Sequence, residues 1–154
     1  MRINFYEAVL SEDNRTTLVK EKAVNYKAEK MNNPNEIAQM MQKLLHLGEL
    51  AEEHCYIIAL DNSCKMLGIF FISKGTVNAS LLTPREIYIR AQLAGAVQII
   101  LCHNHPSGES APSEQDIKIT KTLAKAGELL HINFADHIII GGNTYFSFKE
   151  AEML

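Results

Sequence analysis

Nowhere in the 154 residues is there a run of about 18 apolar residues, so a membrane span is not expected. The opening segment, MRINFYEAVLSEDNR, lacks the apolar core of a secretory signal. Internal repeats, low-complexity tracts and Gly/Ser linkers are absent too. Cysteine is scarce: Cys55, Cys64 and Cys102 are odd in number and at no paired spacing. They read as free thiols packed as small apolar residues in a reducing, cytoplasmic setting. An excess of basic charge is also missing. Fifteen Lys and Arg face 18 Asp and Glu, for a net charge of -3. A general electrostatic grip on nucleic acid needs a clearly basic domain. What remains is ordinary for a globular protein, with 47% hydrophobic and 21% charged residues. That composition excludes disordered, collagen-like and coiled-coil chains. The length suits one domain that buries about two-thirds of its unfolded surface.

Residues 2–10 and 16–28 alternate loosely between apolar and polar around the turn-prone SEDNR, and predict a hairpin. Asn33 is an expected helix cap, with Pro34 at the first helical position and Glu36 three residues after the cap. Ile37, Met40, Met41, Leu44 and Leu45 then fall on one face as core. HCYIIALD and KMLGIFFIS, joined by DNSC, predict a second hairpin, apolar on both faces and therefore central in a covered sheet. A helix is expected from Thr83 as cap, with Glu86 closing a capping box and Gly95 ending it. AVQIILC predicts a strand and HNHPSGESAP a loop. A third helix opens at Ser113. FADHIIIGG and NTYFSF predict two strands around a Gly-Gly-Asn turn. Together these elements predict an α/β fold with helices packed on a mixed sheet.

LCHNHPSGESAPSEQD carries the chemistry. His103 and His105 are one residue apart, so an extended backbone turns both to the same side, where two imidazoles can chelate one ion. Asp116, in the first turn of the third helix, can complete the set. Two nitrogens and one oxygen, with water as fourth ligand, suit a catalytic zinc rather than a structural one. Such a site also needs a carboxylate beside the metal to move protons. Glu52, Glu53, Glu109 and Glu114 are candidates, and spacing does not choose among them. Asp116 three residues after Ser113 is equally a capping-box pattern, and NHPSG is equally a turn. His137 reads as a satisfied core histidine or as a partner of a ligand. His46, His54 and His131 read as incidental. Arg85 reads either as a surface residue or as orienting an acidic group. Asn104 and Ser107-Gly108 are candidates to present backbone N–H groups near the metal.

His103-Asn-His105-Pro followed by Ser113-x-x-Asp116 resembles the JAMM metalloprotease signature of the JAB/MPN domains. HNHPSG, TPREIYIRAQLAGAVQIIL and DHIIIG are similar to its RadC branch, with the likeness running from about Glu53 to about Glu150. The resemblance implies a three-layer αβα sandwich with a curved mixed sheet, related in shape to the cytidine deaminases. It implies Zn²⁺ held by His103, His105 and Asp116, with Ser113 near the bound water or the oxyanion. It places the family's remote glutamate at Glu53, ahead of its neighbour Glu52. The expected organisation is a single domain over 1–154: an N-terminal hairpin and helix over 1–50 and a metal-binding core over 51–154. Residues 1–50 do not carry the helix–hairpin–helix region of longer RadC proteins.

The function expected from these residues is zinc-dependent hydrolysis of a peptide or isopeptide bond, with Glu53 as general acid/base and a peptide or protein as substrate. The alternative is a DNA-associated or DNA-repair accessory protein. Lys118, Lys121 and Lys125 on the third helix, with Arg15, Lys20, Lys22 and Lys27 on the first hairpin, are its only basic candidates, and a solvated face explains them as well. A non-catalytic scaffold is disfavoured because every ligand type is present. A zinc deaminase is disfavoured because the H-x-E and P-C-x-x-C pattern is absent. The N-terminal hairpin is a candidate for pairing with another copy.

Overall fold

The computed structural model describes residues 1–28, 31–75 and 82–154. Strands β1 (Arg2–Leu10) and β2 (Thr16–Asn25) form the expected hairpin. Helix α1 (Pro34–Leu45) follows, and a 3-10 turn spans Leu47–Glu49. β3 (His54–Leu60) and β4 (Met66–Lys74) make the second hairpin. Then come α2 (Pro84–Leu93), β5 (Gln98–His105), α3 (Glu114–Leu130), β6 (Asn133–Gly141) and β7 (Thr144–Ser147).

Among the described residues, seven strands join one sheet in the order β2-β1-β4-β3-β5-β6-β7. It is mixed: β1 with β4 and β5 with β6 are parallel pairs, and the other neighbours are antiparallel. The apolar runs of β3 and β4 occupy the middle, as their two greasy faces require. One face packs on α1 through Met40, Met41, Ile58, Ile100 and Ile138. The other packs on α2 and α3 through Ile57, Phe70, Ile87, Leu101 and Leu123. Helices on both faces make a three-layer αβα sandwich. Each fully buried Ile, Leu or Met side chain contributes about 1.5–3 kcal/mol. The N-terminal hairpin is built into this sheet, and Ile3 and Phe5 of β1 lie in the α1-side core. The edge strand β2 exposes Val19 beside the charged Lys20, Glu21 and Lys22, a pattern that discourages edge pairing.

The helix starts follow the capping chemistry, with one correction. Asn33 Oδ1 accepts from the N–H groups of Asn35 (2.9 Å) and Glu36 (3.3 Å). Thr83 caps α2 through the Glu86 N–H at 3.4 Å, but Glu86 does not close a box. Its carboxylate meets Arg85 (2.7 Å) and Arg90 (3.3 Å) instead, which also places Arg85 in a surface pair. α2 ends at Leu93, and Gly95 supplies the left-handed residue just beyond (φ +68°). His46 and His131 hold the left-handed cap positions that end α1 and α3. The second correction concerns β5, which runs three residues further than AVQIILC. Its ladder with β6 continues to His105↔Gly141, so the His-Asn-His segment is strand rather than loop.

Candidate metal centre

Alternation along β5 places the histidines. Ile100 and Cys102 face α1, whereas Ile99 and Leu101 face α2 and α3. His103 and His105 therefore continue the α2/α3 side, at the end of the strand and beneath the start of α3. Their Nε2 atoms are 3.0 Å apart. Asp116 meets both, Oδ1 at 3.3 Å from His103 Nε2 and Oδ2 at 3.4 Å from His105 Nε2. Ligands ~2.0–2.1 Å from a tetrahedral zinc stand about 3.3 Å from one another. The three separations, 3.0, 3.3 and 3.4 Å, lie near that figure.

Each of these side chains is held from behind. His105 Nδ1 lies 2.9 Å from the Glu109 carbonyl, which can only accept, so that nitrogen carries a proton and Nε2 is bare in the neutral ring. Asp116 Oδ2 accepts from the Ser113 N–H (2.7 Å) and the Ser113 hydroxyl (2.6 Å), while Ser113 Oγ accepts from the Asp116 N–H. The capping box and the convergence on the histidines thus coexist in one carboxylate. Burial alone would raise the Asp116 carboxyl, but its interactions with His103, His105 and Ser113 outweigh it and hold the group far below the usual range. His105 is raised, first by its hydrogen bond with Asp116, against burial, then by the Glu109 carbonyl and the charges of Asp116 and Glu53.

The candidate carboxylates differ in their surroundings. Glu52 is bound to Lys74 at 2.6 Å and about half exposed, and that contact lowers its pKa. Glu109 and Glu114 are exposed. Glu53 is half-buried, its carbonyl accepts from the Gly75 N–H at 2.9 Å, and its charge acts on His105. His54 packs against Tyr56 and Phe71. Asn104, between the two histidines, is fully buried. Its side chain accepts from the His54 N–H (2.7 Å) and donates to the Glu52 carbonyl (3.1 Å). The Gly108 N–H closes a turn onto the His105 carbonyl at 3.1 Å.

His137 on β6 is buried and joins the cluster: its Nε2 is 2.9 Å from His103 Nδ1, and its Nδ1 is 2.6 Å from Thr120 Oγ1. Among the described residues, His103, Asp116 and His137 form a group whose ligand-type atoms lie within 4.8 Å of one another. Thr120 carried no signal in the sequence beyond its place one turn after Asp116. The three cysteines are unpaired, with Cys102 in the α1-side core, away from the histidines. Among the described residues no helix is long and apolar enough to cross a membrane. Lys118, Lys121 and Lys125 are exposed on α3, and Arg15, Lys20, Lys22 and Lys27 are exposed on or beside the first hairpin.

A family model described as RadC-like JAB domain matches residues 31–153. A UPF0758 protein of Clostridium acetobutylicum is 38% identical over 130 residues, which is 84% of this chain and 56% of that protein. A UPF0758 protein of Alkaliphilus metalliredigens is 40% identical over 125 residues, 81% of this chain and 53% of the relative. One from Desulfitobacterium hafniense is 40% identical over 124 residues, 80% and 54% respectively. The chain spans about half the length of the curated relatives it matches. With the His-Asn-His strand, the Ser113–Asp116 cap and a family match over most of its length, the chain belongs to the RadC-like JAB domain family.

Proposed function

We propose that this domain is a zinc-dependent hydrolase of peptide or isopeptide bonds, with the ion held by His103 Nε2, His105 Nε2 and the Asp116 carboxylate. The observation that carries the reading is their convergence within 3.4 Å: two imidazole nitrogens and a carboxylate, a set that a single cation can bridge. Three protein ligands without a thiolate suit a catalytic rather than a structural site. A bound zinc polarises a carbonyl and lowers the pKa of its water from ~15.7 to ~7.

The chain's own groups supply the rest. Glu53 takes the proton of the attacking water and delivers it to the leaving amine. The engagement of Glu52 with Lys74 supports Glu53 over its neighbour. Ser113 orients Asp116. A role for its hydroxyl at an oxyanion requires its proton to be redirected from Asp116 Oδ2. The substrate is a peptide or protein, and the unpaired cysteines fit a cytoplasmic setting. The DNA-associated alternative gains no support, since its basic candidates are solvated side chains on a chain of net charge -3.

The test is metal content measured together with cleavage of a broad peptide and isopeptide panel. Wild type is expected to hold about one zinc and to cleave at least one member. His103→Ala is expected to lose both properties, and Glu53→Gln to lose cleavage alone. A wild-type protein without zinc affinity overturns the reading. A Glu53→Gln protein that cleaves at the wild-type rate removes Glu53 as the shuttle.

A further inference from the structure

His137 and Thr120 lie behind His103, on the side away from His105 and Asp116 Oδ1. We propose that they are positioning residues that fix His103 in the single tautomer able to ligate through Nε2. The inference rests on the reading of His103 as a metal ligand.

The argument is an accounting of protons. Thr120 Oγ1 lies 2.6 Å from the Asp116 carbonyl oxygen, one turn earlier on α3. Two oxygens that close must share a proton, and the carbonyl has none to give, so the threonine donates. A hydroxyl has only one proton. Towards His137 Nδ1, also at 2.6 Å, Thr120 is therefore the acceptor, and the imidazole carries its proton on Nδ1. The neutral ring then has a bare Nε2. That atom stands 2.9 Å from His103 Nδ1, which must donate to it. The consequence is a bare His103 Nε2, the atom that faces Asp116 Oδ1 and His105 Nε2. Reversing the chain leaves the two oxygens facing each other without a proton and ends with an N–H pointed into the cluster.

Two further observations support this assignment. His137 is 1% exposed and stacked on Phe148, with ring centroids 4.9 Å apart and planes 7° from parallel, which fixes the ring's orientation. Both of its nitrogens are also committed, one to Thr120 and one to His103. Although it lies near enough to be counted with the ligands, it has no lone pair left for an ion. Outer partners of this kind orient ligand imidazoles in metal sites and typically change affinity by about 10–100-fold when removed.

The experiment uses the full chain stripped of metal. Imidazole ¹⁵N shifts are recorded on the wild type, and Zn²⁺ affinity and Co²⁺ absorption are measured for wild type, Thr120→Val, Thr120→Ser and His137→Phe. The expected result is Nδ1 protonation on both His103 and His137. Thr120→Val and His137→Phe should bind Zn²⁺ about 10–100-fold more weakly with an altered Co²⁺ spectrum, and Thr120→Ser, which keeps the acceptor, should return to within ~3-fold of wild type. An Nε2-protonated His103 in the metal-free wild type overturns the inference even if a variant fails to fold. So does a folded Thr120→Val protein with wild-type affinity and spectrum. A wild type that shows the expected tautomers but no metal affinity fails the functional reading and leaves the proton assignment standing.

Discussion

Asn104 brackets Glu53 through the backbone: its carboxamide accepts from the His54 N–H and donates to the Glu52 carbonyl, the peptide groups on either side of Glu53. The strand that carries the histidines therefore also fixes the start of β3. Asn104→Ala leaves that N–H and that carbonyl without partners, at an expected cost of about 1–3 kcal/mol. Urea denaturation should register this loss, and the His54 amide should exchange faster with solvent. Zinc stoichiometry should stay near wild type, because the Asn104 side chain bonds to the β3 start and not to the candidate ligands.

Ligand linkage gives a test of the metal site that needs no substrate. An ion that binds only the folded state at 100 times its Kd adds about 2.7 kcal/mol. For a domain of this size that corresponds to roughly 5–10 °C in Tm. Wild type should show this rise with added Zn²⁺ and lose it with a chelator. His103→Ala and Asp116→Ala should show neither response.

Gly141 closes the ladder opposite His105, and the 108–110 loop lies directly upon it. A Cβ built there meets the Ser110 nitrogen, the Glu109 carbonyl carbon at 2.5 Å and the Gly108 oxygen at 2.8 Å, all of them backbone atoms. Gly141→Ala must push the loop away, and with it the Glu109 carbonyl that holds His105 Nδ1. The expected outcome is a stability loss of about 1–3 kcal/mol together with weaker Zn²⁺ binding, read by denaturation and by competition with a metal indicator. Loss of stability without loss of affinity would separate the loop from the site.

Asp136 supplies a pH test. Burial raises its carboxyl, against hydrogen bonds from Ser147 and from the Lys149 and His137 N–H groups. A folded-state pKa above the unfolded one favours the protonated form. Its contribution is full below the ordinary value, near 3.8, and fades as pH rises through the raised one. Asp136→Asn does not titrate and keeps the acceptor for the two N–H groups. Its stability relative to wild type should therefore improve as pH rises from 3 to 7, by ~1.4 kcal/mol for each pH unit that the titration is displaced. Paired melts across that range decide the sign, and a difference that moves the other way contradicts the assignment.

Much of this site is legible in the sequence. The spacing His103-x-His105 requires a shared side on extended backbone, and Ser113-x-x-Asp116 marks a helix start; both conclusions need only local geometry. The extent of β5 was not legible, because polar residues look like loop until β6 is seen to pair with them as far as Gly141. The partners of Glu86 were not legible for a similar reason. Its sequence position suits a capping box, but Arg85 and Arg90 offer its carboxylate better partners once the helix is formed.

The sequence by itself determined which residues could ligate, where the helices begin and that the apolar strands sit in the middle of a covered sheet. These follow from periodicity and capping, which act over a few residues. Tertiary structure decided which side chains stand behind the ligands. Regular alternation from Phe134 would turn Asp136 towards α3 and His137 towards α1. A register shift between the pairs Ile99↔Phe134 and Ile100↔Asp136 inserts Ala135 and reverses that order. His137 thereby reaches His103 and Thr120, and Asp136 reaches Ser147. A bulge of one residue moves every later side chain to the opposite face, and its position is set by the packing of two strands and a helix rather than by any local pattern.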